Sequence, residues 1–323
     1  MPAEGPQTLL EAVRHFSNLD VCHEYMRGVK WPDGNILCPK CGGNVIGSIA
    51  SRRMLQCKAK DCRKQFSCKV GTIFEDSPLG LDKWFVAVWC IANAKNGISS
   101  CELARALGVT QKSAWFMLHR IRLAMKAGGF EKMEGEVESD ETFVGGKAAN
   151  MHAAKRAKVI TGRGAVGKAI VHGLLERGKD GEPSQVRASV VFDTEAATLI
   201  PEVIRNVDPG ATIYTDAHAA YRNLVTRFIH GVVDHSIEYV RGRVHTNGIE
   251  NFWSLLKRTI KGSYVHVSPW HLARYVDEQV FRFNERIKND AERFREVMLA
   301  VVGKRLTYRQ LAGADGCGFM GLE

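Results

Sequence analysis

Two short cysteine spacings near the start of the chain constrain its fold more than any other feature. Cys38-Pro-Lys-Cys41 is followed by fifteen residues and then by Cys57-x4-Cys62. Two tight turns that each bring two thiolates together complete one tetrahedral site, and a β-like stretch between them makes a zinc ribbon. Gly42 and Gly43 supply permissive backbone after the first pair. Cys38, Cys41, Cys57 and Cys62 are therefore expected to hold one structural Zn²⁺. The second pair is wider than the usual two-residue gap. Cys22, Cys68, Cys90, Cys101 and Cys317 show no such spacing and read as small apolar residues.

Around this ribbon the chain reads as several domains. Residues 1–30 hold a short helix at Thr8–Phe16 and then a connector. The ribbon takes 31–77, with strands at Met54–Cys57 and Gln65–Cys68. Residues 78–128 are helical, beginning with the apolar segment Lys83–Asn96. Ser99 or Ser100 can cap a helix carrying Leu103, Ala104 and Leu107, and Gly108 ends it. Thr110 caps the next helix, about Gln111–Ala124. This is the pattern of a helix–turn–helix, whose second helix can enter a major groove, or of an ordinary helical hairpin.

Past Gly128-Gly129 the periodicity changes. Strands are expected at Gly135–Phe143, Ala169–Leu175 and Arg187–Phe192. A helix capped by Thr194 follows to Asn206, then a strand at Ala211–Tyr214, a helix at Ala217–Arg227 and a strand near Glu238–Val240. Helices at Gly248–Ile260, Trp270–Ile287 and Ala291–Val301 end the pattern. Three strands and then alternating β and α elements is the order of an α/β ribonuclease-H-like fold, assigned to 129–290, with a helical C-terminal extension over 291–323.

Charge narrows the partner. Forty-five basic and 35 acidic residues leave a formal charge of +10, which favours a polyanion. The excess is concentrated. Lys147, Lys155, Arg156, Lys158, Arg163 and Lys168 run without an acid, and Arg241, Arg243, Lys257, Arg258, Lys261 and Arg274 enclose only Glu250. Nucleic acid is the expected partner. The longest apolar run, Phe85–Ala92, is too short for a membrane span, and the first residues lack the pattern of a secretory signal. No membrane association is expected, and a cytoplasmic, nucleoid-associated location is.

Three acids can form a second metal site. Asp140 lies in the first strand of the α/β region, Asp216 just past the fourth, and Glu250 in the helix that follows. In a sheet of this order the first and fourth strands are neighbours. Carboxylates suit Mg²⁺, and two such ions about 3.5–4 Å apart can activate one oxygen and stabilise another. On a helix turning 100° per residue, with Glu250 at 0°, Lys257, Lys261 and Ser254 fall at roughly 340°, 20° and 40°. Phe252, Trp253, Leu255, Leu256 and Ile260 fall on the opposite side. An acid in line with lysines suits a metal–phosphate site, or else a solvated face with Glu–Lys pairing.

Together these residues resemble bacterial insertion-sequence transposases of the DDE class, in the family with an N-terminal zinc ribbon. The resemblance rests on the four cysteines, Val137-Glu-Ser-Asp140-Glu-Thr-Phe-Val-Gly-Gly-Lys147, Tyr214-Thr-Asp216-Ala-His-Ala-Ala-Tyr221, and His245-Thr-Asn-Gly-Ile-Glu250-Asn-Phe-Trp-Ser-Leu-Leu-Lys257-Arg258. Gly262-Ser-Tyr-x-His-Val-Ser268 and Tyr275-x-Asp-Glu-x-x-Phe-Arg-Phe-Asn284 extend it. It implies cleavage at transposon ends and strand transfer into target DNA. Asp140, Asp216 and Glu250 would be the catalytic acids on two Mg²⁺ ions, for which Mn²⁺ substitutes. Lys257 would contact the transposon end, with Arg258, Lys261 and Lys147 as further DNA-binding residues and Asn247 as a helper to Glu250. The expected partners are terminal inverted repeats, target DNA and a second copy of the chain, as a homodimer or higher oligomer. Two other readings compete: a zinc-ribbon, helix–turn–helix regulator without catalysis, and a ribonuclease-H-like nuclease that cuts without joining.

Overall fold

A computed structural model describes residues 5–126, 131–145, 168–179, 181–233 and 244–313. The expected strand at Glu238–Val240, the residue Lys147 and most of the first basic run lie outside those residues. The chain divides into two units, Met1–Met125 with Lys288–Cys317, and Lys126–Ile287 with Gly318–Glu323. Among the described residues no helix is long and apolar enough to cross a membrane.

The first unit opens with α1 (Leu9–Phe16), whose N-cap Thr8 accepts the Glu11 amide. The expected connector is instead a second helix, α2 (Leu19–Lys30), capped by Asn18. Its buried residues Cys22, Met26 and Val29 recur at helical spacing, which sets one face toward the core. The ribbon follows as a three-stranded antiparallel sheet of β1 (Ile46–Ile49), β2 (Met54–Cys57) and β3 (Gln65–Phe66). Next come α3 (Leu81–Asn93), α4 (Ser100–Leu107) and α5 (Gln111–Met125). Ser99 and Glu102 form a reciprocal capping box on α4, and Gly108 closes it at φ 61°. Thr110 Oγ1 accepts the Ser113 amide at the start of α5.

After the second unit the chain returns to the first as α9 (Asp290–Leu299) and α10 (Tyr308–Leu311). Phe294 of α9 sits 5.3 Å from both Phe16 and Trp89, and Phe16 meets Phe85 edge to face at 4.9 Å. The C-terminal extension thus completes an aromatic core begun by α1 and α3, which the sequence does not foretell.

The second unit is built on a five-stranded mixed sheet. Its strands are β4 (Glu136–Val144), β5 (Ala169–Glu176), β6 (Gln185–Val191), β7 (Thr212–Asp216) and β8 (Ile229–Val233), in the order β6-β5-β4-β7-β8. β4, β5 and β6 pair antiparallel, whereas β4–β7 and β7–β8 pair parallel. The first and fourth strands are neighbours, as the sequence order requires. The fifth strand, however, is Ile229–Val233, a segment that falls in the link after the expected helix Ala217–Arg227. Gly231 in its middle weakens the strand signal, yet a Cβ there would lie 2.9 Å from the Tyr214 ring of β7.

Side-chain alternation gives the sheet two faces. Val137, Leu174 and Ile213 point to one, joined by Leu199 and Val203 of α6 (Ala196–Asn206) and by Tyr221 and Leu224. α6 starts later than expected, with Glu195 at its N-cap rather than Thr194, because the Asp193 carboxylate takes the Glu195 amide. The helix expected at Ala217–Arg227 is a 3-10 helix over Ala219–Thr226. Val171 and Leu175 point to the other face, joined by Ile249, Phe252, Trp253 and Leu256 of α7 (Asn247–Thr259) and by Val276 and Val280 of α8 (Pro269–Asn284). α7 continues into a π-helical turn, Ile260–Tyr264, ended by Val265 at φ 61°.

Candidate active site and metal centre

The four cysteines are brought together as their spacing predicts. Their sulfurs all lie within 4.8 Å of one another, with Cys38–Cys62 and Cys41–Cys57 at 3.6 Å. A tetrahedron with Zn–S of about 2.3 Å has edges of about 3.8 Å, so the set fits a structural zinc ion. The first turn is closed by the Gly42 amide on the Cys38 carbonyl, with Gly42 at φ +72°. The Lys40 amide points at Cys38 Sγ at 3.4 Å. Such donors help bring the Cys38 thiol down to about 6, against a burial effect that raises it. The wider second pair closes through the Cys62 and Arg63 amides on the Ala59 carbonyl, with Arg63 at φ 48°. The extra residues are thus absorbed in a turn from Ala59, which Arg63 ends in the left-handed region.

The carboxylates are assembled differently. Glu138 on β4 pairs with Tyr214 on β7, and two residues further along each strand lie Asp140 and Asp216. Both therefore project on the α7 side of the sheet. Burial is the main cause that pushes Asp140 up to about 6, and the charges of Asp216 and Glu250 add to it. The Trp253 indole N–H opposes that shift by donating to Asp140 Oδ2 at 2.9 Å. Trp253 reaches Asp140 across Gly173, the β5 partner of Asp140, where a Cβ would lie 2.5 Å from the indole ring. Asp216 Oδ1 accepts the His218 amide at 3.0 Å, which fixes the turn after β7. Glu250 sits exposed in the first turn of α7 and accepts Thr246 Oγ1 at 3.1 Å.

Among the described residues, the cysteines are the only three or more potential ligands whose donor atoms lie so close together. The three acids share one face without converging to that distance. A hard divalent cation is the group that would draw them in. Their all-oxygen donor set suits Mg²⁺ or Mn²⁺.

The flanking basic residues separate. Lys257 is half-buried, and Arg258 and Lys261 are exposed. α-helical spacing puts Lys261 in line with Glu250, but it falls in the π-turn, so that spacing no longer holds it on the stripe. Asn247 is exposed at the first position of α7.

Several residues near the acids make contacts that spacing alone does not reveal. Glu141, beside Asp140, is pushed up to about 8, first by burial and then by the charges of Asp140 and Asp216. The Tyr221 hydroxyl donates to it. Ser139 Oγ lies 3.2 Å from that hydroxyl and 3.0 Å from His172 Nε2. Burial pushes His172 down to about 4, so it is neutral at pH 7. Alternation along β4 is the signal that sorts Glu138 and Asp140 from Ser139 and Glu141.

Two family models match the chain. Residues 132–284 match the ISXO2-like transposase domain, and residues 18–65 match the transposase zinc-ribbon domain. The chain is 30% identical over 268 residues to a protein in transposable element ISH50 of Halobacterium salinarum, covering 79% of this chain and 88% of that protein. It is 33% identical over 101 residues to a transposase-like protein of Haemophilus influenzae, covering 31% of this chain and 81% of that one.

Proposed function

We propose a reaction for a chain that belongs to the ISXO2-like transposase family: binding of insertion-element ends, metal-dependent cleavage of their phosphodiesters, and strand transfer into target DNA. The observation that carries this reading is the placement of Asp140 and Asp216 at corresponding positions of adjacent parallel strands, under the helix that bears Glu250. Three strands paired antiparallel and continued by two parallel ones support the ribonuclease-H-like assignment.

In this reading Asp140, Asp216 and Glu250 hold two Mg²⁺ ions. When bound, these ions make a water or a 3′-hydroxyl more nucleophilic and neutralise the departing oxygen. Trp253 orients the Asp140 carboxylate. Lys257, Arg258 and Lys261 take phosphates, with Lys147 in the same role. α4 and α5 form a helix–turn–helix whose exposed residues Gln111 and Lys112 present the start of the second helix to a groove. Inverted repeats, target DNA and a second copy of the chain are the partners, in the cytoplasm at the nucleoid.

The test is cleavage of element-end DNA by the full chain in Mg²⁺. Asp216→Asn should keep DNA binding in Ca²⁺ and lose both cleavage and joining. Normal cleavage by that variant would remove the proposed centre.

A further inference from the structure

The motif before Asp140 contains a second acid, Glu138, and the motif before Glu250 begins at His245; neither has a part in the chemistry above. The fold joins them. Glu138 projects from β4 on the same face as Asp140 and is 1% exposed. Its Oε2 accepts the Ile249 amide at 2.9 Å, one of the otherwise unpaired donors at the start of α7. Its Oε1 accepts Arg177 Nε at 2.8 Å. Arg177 in turn donates through Nη2 to the His245 carbonyl at 2.8 Å, and its Nη1 lies 3.3 Å from Glu136. His245 Nδ1 stands 3.4 Å from Glu138 and 2.9 Å from Arg177 Nη2. The approach is close enough that a Cβ on Gly248 would lie 2.8 Å from Glu138 Oε2.

Glu250 is the next residue after Ile249. One turn beyond Ile249, Trp253 donates to Asp140. The helix is therefore tied to β4 at two core-facing residues one turn apart, 249 and 253, which bracket the exposed Glu250. Both ties end on carboxylates two residues apart on one strand.

We propose that Glu138 and Arg177 form a buried clamp that sets the register of Glu250 against Asp140 and Asp216, making them positioning residues for the divalent-metal site. The clamp holds the backbone of residues 245–249 and so sets the direction from which the Glu250 side chain extends. The inference rests on the proposed metal site.

The test measures Mn²⁺ binding to the full-length, zinc-loaded protein by electron paramagnetic resonance, alongside thermal melting and DNA affinity in Ca²⁺. Glu138→Gln keeps one acceptor and loses the other. It should weaken Mn²⁺ binding about tenfold or more, with zinc content and DNA affinity unchanged. Gly248→Ala alters no charge and presses a methyl on the clamp, and should weaken Mn²⁺ binding in the same direction. In a Glu250→Ala background, Glu138→Gln should produce no further loss, because its effect runs through Glu250. An equal loss in that background would mean that Glu138 acts through its charge alone, and would overturn the clamp. Unchanged Mn²⁺ affinity in a folded Glu138→Gln protein would overturn it too. Failure of both single variants to fold would make the pair a requirement of the fold rather than of the site, and also overturns the proposal. Asp216→Asn separates the two levels: if it binds Mn²⁺ as wild type does, the metal site itself is wrong, whatever Glu138 does.

Discussion

The cysteine centre and the carboxylate centre solve the same problem, the gathering of negative ligands, by opposite routes. The cysteines come from two turns and one small sheet, and the Lys40 amide already points at Cys38 Sγ. Their positions follow from local spacing. The carboxylates come from β4, β7 and α7, elements far apart in sequence, and the burial of Asp140 works against its charge. A locally encoded centre is built to keep its ion. In the proposed function, a centre encoded by topology, with an exposed third acid, would exchange ions and admit a phosphate.

The largest effect that can break this contrast is loss of zinc. Cys41→Ser should empty the ribbon and unfold it, since structural zinc contributes on the order of 10 kcal/mol to small zinc folds. Metal analysis of the purified chain and loss of ribbon structure by NMR check this. Retention of one zinc per chain by the variant would show that three cysteines suffice. Metal removal at the carboxylates should behave otherwise: EDTA treatment that spares zinc should stop cleavage reversibly and leave the melting temperature almost unchanged.

Next in size is the acid pair. Asp140→Asn should lower end cleavage by at least about 10²–10³-fold, the range typical for losing one preorganised electrostatic group, with DNA binding retained. Trp253→Phe keeps a ring over Gly173 and removes only the N–H to Asp140. Cleavage should fall about tenfold, and stability by about 1 kcal/mol, the usual net value of one such hydrogen bond. An unchanged rate would show that Asp140 needs no orienting donor. The smallest effect is expected at Lys257→Ala. It should reduce the slope of log affinity against log salt by about 0.9, the value for one phosphate contact, while Mn²⁺ binding stays constant.

The sequence discloses these two centres to different depths. The ribbon is legible because its ligands lie on turns whose spacing carries the geometry. The neighbourhood of Asp140 and Asp216 is legible from strand order, through the pairing of β4 with β7. Helix α2 is missed because Gly28 and Val29 dilute its propensity, although Cys22, Met26 and Val29 mark its buried face. β8 is missed because Gly231 interrupts it, and the Tyr214 ring and Val244 side chain against that glycine explain the choice. The role of Trp253 is hidden for a similar reason. Its angle on the helix marks it as core, whereas its N–H reaches a carboxylate through a gap left by Gly173 on another strand. Lys261 moves off its expected stripe because hydrogen bonding changes to the π pattern, which no residue spacing announces.

The return of α9 to the first unit has a consequence for biosynthesis. A ribosome makes Phe16, Phe85 and Trp89 early, but Phe294, which fills the space among them, emerges only after the whole segment Lys126–Ile287. At elongation rates of about 5–20 residues per second, the N-terminal unit waits on the order of ten to thirty seconds for its last hydrophobic piece. Its completion thus reports that translation has passed the acidic centre. A product truncated near residue 287 would carry the four cysteines and the three acids and still lack the plug of the aromatic core, and it is expected to melt well below the full chain.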